Sequence, residues 1–170
     1  MMRKKPMLAY PVSDKPIDYT KPVFIQPKLD GVRCLVQQEY DDVVDTNVIR
    51  AYSRTGKEWK NINHILRELV PFFQKHPHVI LDGELYNHAF KDDFESIISM
   101  VRKQKPTMQD RLKSHTYVQF HCYDIVDETM SYEDRAEFIA QNVPESYCTY
   151  HVETLQCFVE SDAKMIHEQN

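Results

Sequence analysis

Residues 23–37 read VFIQPKLDGVRCLVQ, and at their centre stand Lys28-Leu29-Asp30-Gly31-Val32-Arg33. Two apolar, strand-like runs flank an Asp-Gly pair. That is the pattern of a hairpin, because glycine reaches positive φ at little cost. Lys28 is then expected at the lip of the hairpin, with Asp30 and Arg33 folded back beside it. A lysine set among a carboxylate and a guanidinium has the surroundings of a covalent nucleophile for a phosphate or a carbonyl. An ordinary surface hairpin would carry the same residues, so the rest of the chain has to decide.

The chain has 170 residues, the length of one domain with a real core. Hydrophobic residues make up 42% and charged residues 28%, as in a globular protein. No apolar run approaches the roughly 20 residues of a membrane span. The opening MMRKKPMLAYPVSDKP lacks an apolar signal-peptide core, so an intracellular protein is expected, with no membrane partner. Cys34, Cys122, Cys148 and Cys157 show no C-x-x-C spacing and read as reduced thiols. Eight histidines are present, but none has a zinc-ligand spacing. A net charge of −5 argues against a domain that only coats nucleic acid. Two basic clusters, Arg3-Lys4-Lys5 and Arg102-Lys103-Gln104-Lys105, read as solvated surface.

In chain order, residues 1–21 read as an irregular, proline-punctuated lead-in, and 22–170 as one domain. Residues 23–28 and 32–37 are the hairpin, 39–45 an acidic turn, and 48–53 a third strand ending at Arg54-Thr55-Gly56. Ile62, Ile65, Leu66, Leu69, Val70 and Phe73 recur at helical spacing over residues 61–74, with Asn61 placed to cap. Residues 79–81 form a short strand running into Asp82-Gly83-Glu84. A helix over 94–101 turns Phe94, Ile97, Ile98 and Val101 inward behind Asp92 or Asp93, and 108–112 adds a turn or two. Residues 116–126, TYVQFHCYDIV, are the longest strand signal: Tyr117, Gln119, His121 and Tyr123 face one side, Val118, Phe120 and Cys122 the other. Ser131 with Asp134 opens a helix through Ala140. Residues 149–155 are a strand, and 161–167 start a last helix. Irregular alternation with hairpins predicts an α+β domain around antiparallel sheet.

The chemistry gathers in four short stretches. Lys28-Leu29-Asp30-Gly31-Val32-Arg33 is the first. Ser53-Arg54-Thr55-Gly56-Lys57 can present a guanidinium fork to phosphate. Asp82-Gly83-Glu84 offers a carboxylate that accepts sugar hydroxyls or holds Mg²⁺. Tyr123-Asp124-Ile125-Val126 offers a ring for stacking. All three glycines, Gly31, Gly56 and Gly83, lie inside these stretches. In this order they resemble the motifs of the covalent nucleotidyltransferases, and residues 22–155 are identified as the front part of the adenylation domain of an ATP-dependent DNA ligase, of the compact phage-like kind.

That resemblance implies an antiparallel-sheet nucleotidyltransferase fold, ATP-grasp-like and incomplete. It implies ATP and Mg²⁺ as cofactors and nicked double-stranded DNA as partner, in repair, replication or recombination. Lys28 would be the catalytic nucleophile, Asp30 would orient it, and Gln26, two residues ahead, would read the adenine edge. Arg33 and Glu84 would hold ribose and phosphate, Arg54 a phosphate and Glu84 the metal, while Tyr123 stacks the adenine. The family's Glu-Gly and K-x-K motifs and its oligonucleotide-binding fold are not found, so the sequence is either a fragment or a subunit, and a second polypeptide is expected to carry them. The alternatives are an RNA ligase or capping-type enzyme and, from another class, a non-catalytic nucleotide-binding or assembly module.

Overall fold

Val32–Asp41 (β2) is the long strand around which the rest assembles in the computed structural model, which describes residues 23–152 and 155–157. The segment ahead of it, Val23–Ile25 (β1), does not fold back as a hairpin partner. It pairs antiparallel with a short strand at 155–157. The described residues divide into two units, one of Leu29–His151 and another that holds this two-stranded pair and the chain up to Lys28. Gly31 makes no positive-φ turn. A Cβ there would stand 2.2 Å from the Leu85 carbonyl oxygen, so glycine is required by a close backbone approach.

In the larger unit β2 pairs on one side with Thr46–Tyr52 (β3), from Leu35 opposite Tyr52 to Asp41 opposite Thr46. Glu39 and Asp41 therefore belong to the strand and not to an acidic turn. Both bind Arg50, which explains why strand and not loop accommodates them. The expected helix over 61–74 is two helices, Asn63–Glu68 (α1) and Val70–Lys75 (α2), broken at Leu69. Pro71 in the first turn of α2 has no N–H to continue the ladder. Asn61 does not cap; it is buried, and its Nδ2 donates to the Met100 and Asp110 carbonyls at 2.9 and 3.1 Å.

On the other side of β2 lies Leu81–Tyr86 (β4), the centre of the sheet. It begins later than expected, and Asp82-Gly83-Glu84 runs inside it as extended strand. Phe94–Val101 (α3) forms as expected, with the Asp93 side chain accepting from the Ser96 N–H, but Phe94 faces outward. Met108–Tyr117 (α4) is longer than 108–112 because Thr107 and Asp110 form a full capping box. The strand expected over 116–126 is shorter, Gln119–Ile125 (β5), because α4 runs on through Tyr117; within it Phe120 and Cys122 are fully buried as expected. Tyr132–Asn142 (α5) is capped by Ser131. Thr149–His151 (β6) closes the row, and Leu155–Cys157 (β7) is the partner of β1 already described. The expected strand over 149–155 is thus two short strands. The lead-in over 1–21 and the last helix over 161–167 lie outside the described residues.

The five strands run β3-β2-β4-β5-β6, antiparallel except for β6, which lies parallel to β5. One face of this α+β sheet presents Cys34, Val36, Ala51, Leu81, Leu85, Phe120, Cys122 and Ile125. These pack with Ile62, Ile65, Leu69 and Phe73 of the α1–α2 stretch, Ile97 and Val101 of α3 and Ile139 of α5. The opposite face carries mostly polar side chains, with Leu35 buried among them. Gly83 sits on the packed face, where a Cβ would meet the His121 carbonyl oxygen at 2.4 Å and the Phe120 ring at 2.7 Å. Gly83→Ala should therefore lower stability by about 2 kcal/mol or more, read as a shift in the urea midpoint. An unchanged midpoint would contradict this packing.

Candidate active site

The polar face of the sheet owes its composition to the period-two alternation of β4: Leu81, Gly83 and Leu85 point to the core, Asp82 and Glu84 away from it. Arg33 on β2 lies directly opposite Glu84, and Leu35 opposite Asp82. On the other side the register between β4 and β5 slips. Asp82 faces Asp124, while Gly83 faces Cys122, leaving Tyr123 as an extra residue. Such a bulge re-aims a side chain. Here it delivers the Tyr123 hydroxyl to Glu84.

Four side chains then interlock. Arg33 donates from Nε to one Asp82 carboxylate oxygen at 2.7 Å and from a terminal nitrogen to the other at 2.6 Å. Its guanidinium carbon sits 5.5 Å from the centre of the Tyr123 ring, a cation–π contact. The Tyr123 hydroxyl donates to Glu84 Oε1 at 3.2 Å, and the Gly31 N–H donates to Oε2 at 3.1 Å. Glu84 thus ties the start of β2, β4 and β5 together. On the α5 side, Arg135 donates to Asp124 at 2.7 Å and to the Met130 carbonyl, fixing the acid that follows the tyrosine.

Electrostatics follow from burial. The Glu84 carboxyl is pushed up to about 7 from the usual 4.5, chiefly by burial. Hydrogen bonds from Tyr123 and Gly31 and the Arg33 charge oppose this, and the Asp82 charge adds to it. Asp82 is raised as well, again by burial, with Arg33 pulling the other way. The Tyr123 hydroxyl is raised by burial and by both carboxylates, so it stays a neutral donor. At neutral pH Glu84 is therefore poised between its two forms, and a cation or a hydroxyl donor arriving there meets a carboxylate that ionises readily.

The structure brings Arg33, Glu84 and Tyr123 together and adds Asp82, which sequence reading passed over. Its signal was available: acids two apart on a strand share a face. Asp30 is exposed, and its charge acts on Tyr86. Arg54 stands exposed on the turn closed by the Ser53 hydroxyl, which accepts from the Lys57 N–H. None of the described hydrogen bonds joins Arg54 to the Arg33–Glu84 group. Gln26 and Lys28 belong to the smaller unit, where Lys28 is exposed. Arg33, expected to serve a nucleotide phosphate, has its fork occupied by Asp82. For Mg²⁺ no group of three ligating side chains exists among the described residues. A single carboxylate like Glu84 still suits this ion, which keeps waters and shares substrate phosphates.

The model of the ATP dependent DNA ligase domain family matches residues 6–169. The chain belongs to this family. DNA ligases of Enterobacteria phages T4 and T6 are 36% identical over 72 residues, spanning 39% of this chain and 14% of theirs. Among solved structures, one from a structure-function analysis of Lig E DNA ligases superposes over 99% of this chain and 57% of its own. Its TM-score is 0.67 and its identity 18%. Another, named Pmar-Lig_Pre, gives 0.68 at 19% identity over 96% and 38%. The chain therefore spans only part of the ligases it matches, and the family's α+β adenylation fold is the one it adopts. No described helix is long and apolar enough to cross a membrane.

An unfolded chain releases the Glu84 proton near pH 4.5, while the folded chain keeps it to about 7. The stability conferred by this protonation is present below 4.5 and lost as pH rises through 7. Glu84→Gln, a neutral isostere, should remove that loss. The difference between its melting temperature and that of the parent should therefore grow from pH 4.5 to 7.5, whereas parallel curves would discard the assignment.

Proposed function

We propose that this chain supplies the nucleotide-binding part of an ATP-dependent DNA ligase and carries the covalent intermediate on Lys28. The lysine nitrogen attacks the α-phosphate of ATP; a P–N bond forms, the P–O bond to the β-phosphate breaks, and pyrophosphate leaves. The amine must give up its proton to attack, and Asp30, two residues on, is assigned to orienting it. The adenylyl group then passes to a 5′-phosphate at a nick in duplex DNA, and the 3′-hydroxyl displaces AMP. What supports this reading is the family match over residues 6–169 together with the polar group built on Glu84.

In that group Glu84 is assigned the ribose hydroxyls and Mg²⁺, which when bound neutralises charge on the triphosphate. Tyr123 is assigned the adenine face, its ring already braced by Arg33 and its hydroxyl by Glu84. Arg33, with its fork on Asp82, is assigned the positioning of these two as much as phosphate contact. Gln26 is assigned the adenine edge and Arg54 a phosphate. The remaining catalytic motifs and an oligonucleotide-binding fold are assigned to a second polypeptide. An intracellular site, and work in repair, replication or recombination, accord with the phage relatives.

Lys28→Ala should abolish the adduct formed with ATP and magnesium, seen by intact mass, and leave the melting temperature unchanged because the side chain is exposed. Lys28→Arg should fail too, since a guanidinium stays protonated. An adduct surviving in either variant would remove Lys28 from this role. Tyr123→Ala should weaken ATP binding by about 1 kcal/mol or more through lost stacking, measured by calorimetry, and binding equal to that of the parent would place the adenine elsewhere.

A further inference from the structure

Three hydrogen bonds join the loop after β3 to the α3–α4 corner. Gln104 donates to the Glu58 carbonyl at 3.2 Å, and Asn61 donates to the Met100 and Asp110 carbonyls. The residues beside these bonds are lysines: Lys57 and Lys60 in the first segment, Lys103, Lys105 and Lys113 in the second. All five are exposed. None of them forms an ion pair among the described residues, whereas Arg33, Arg50 and Arg135 all do. Lys103 and Lys113 both bear on Asp110, whose carboxyl is held below its ordinary value first by the Thr107 N–H and then by these two charges. In a chain of net charge −5 this gathering is a local reversal of sign.

We infer that this corner is a docking surface for the sugar-phosphate backbone of duplex DNA, continuous with the turn that carries Arg54. The inference rests on the ligase reading above and adds to it where, beyond the nucleotide pocket, the substrate lies. Lysines on flexible stems suit phosphates as point charges and read no sequence. A ligase must hold nicks of any sequence, so a contact of this kind fits the task. The surface is also pre-positioned. Glu58 and Asn61 are locked to the helix corner through backbone carbonyls, so the two lysine-bearing segments keep their spacing without DNA. Neutralising phosphates releases condensed counterions, which makes such binding fall steeply with salt.

The test uses a fluorescent nicked DNA duplex titrated with the 170-residue chain and followed by anisotropy at several salt concentrations. The parent should bind, with affinity falling as salt rises. K57E/K60E and K103E/K105E should each weaken binding at low salt by about tenfold or more and flatten the salt dependence, by roughly one unit of slope per lost phosphate contact. K103Q/K105Q should lie between. Adduct formation with ATP and the melting temperature should match the parent in all three, since these side chains are exposed and lie outside the nucleotide group. A parent that does not bind the duplex, charge-reversed variants that bind as the parent does, or tighter binding to a nicked RNA duplex would each overturn the surface. A chain that binds DNA through these lysines yet carries its adduct on a residue other than Lys28 would uphold the surface and refute the catalytic reading.

Discussion

Two carboxylates on the central strand set the terms for everything around them. Asp82 and Glu84 are carried into a largely dry place by β4, and a buried acid has to be paired, hydrogen-bonded or protonated. Asp82 takes the first course, with both oxygens on Arg33. Glu84 takes the second and part of the third, between the Gly31 N–H and the Tyr123 hydroxyl. Meeting these demands fixes the start of β2, the bulge in β5 and the direction of the tyrosine ring. The polar group around Glu84 is in this sense a by-product of satisfying buried charge, and removing any one partner exposes the others to a penalty.

Much of this was legible in the sequence. The alternation of Gln119, His121 and Tyr123 against Phe120 and Cys122 put the ring on the right face, and Asp93 and Ser131 announced two helix starts by their capping chemistry. Asp-Gly misled at both of its appearances. At 30–31 it suggested a reversal, but the glycine is there because the Leu85 carbonyl crosses where a Cβ would be. At 82–83 it suggested a loop end, but the strand runs through, since Gly83 lies against Phe120 and the acids beside it find partners. A local propensity cannot report a contact with a residue far along the chain, and both errors are of that kind.

The helix over 61–74 failed for a different reason. Its apolar spacing was correct, since Ile62, Ile65, Leu69 and Phe73 are all buried, yet Pro71 divides it. Asn61, read as a cap, instead serves the carbonyls of another element, and that cross-link gives the lysine-rich corner its rigidity. The elevated Glu84 proton affinity left no trace in the sequence at all, because it depends on how much water reaches the carboxyl.

The bulge in β5 has a consequence for insertions and deletions. Ahead of it, odd-numbered residues face the polar side; beyond it the parity inverts, so that Asp124 stands opposite Asp82 and Ile125 opposite Leu81 in the core. Tyr123 is therefore supernumerary to the ladder. Excising it would leave Cys122, Asp124 and Ile125 in regular alternation, with every remaining side chain on its present face. Excising His121 instead would close the bulge only by turning Cys122 to the polar side and Tyr123 toward the core. The ring is held in the sheet as an added residue, one that the strand pairing does not require but whose hydroxyl Glu84 uses.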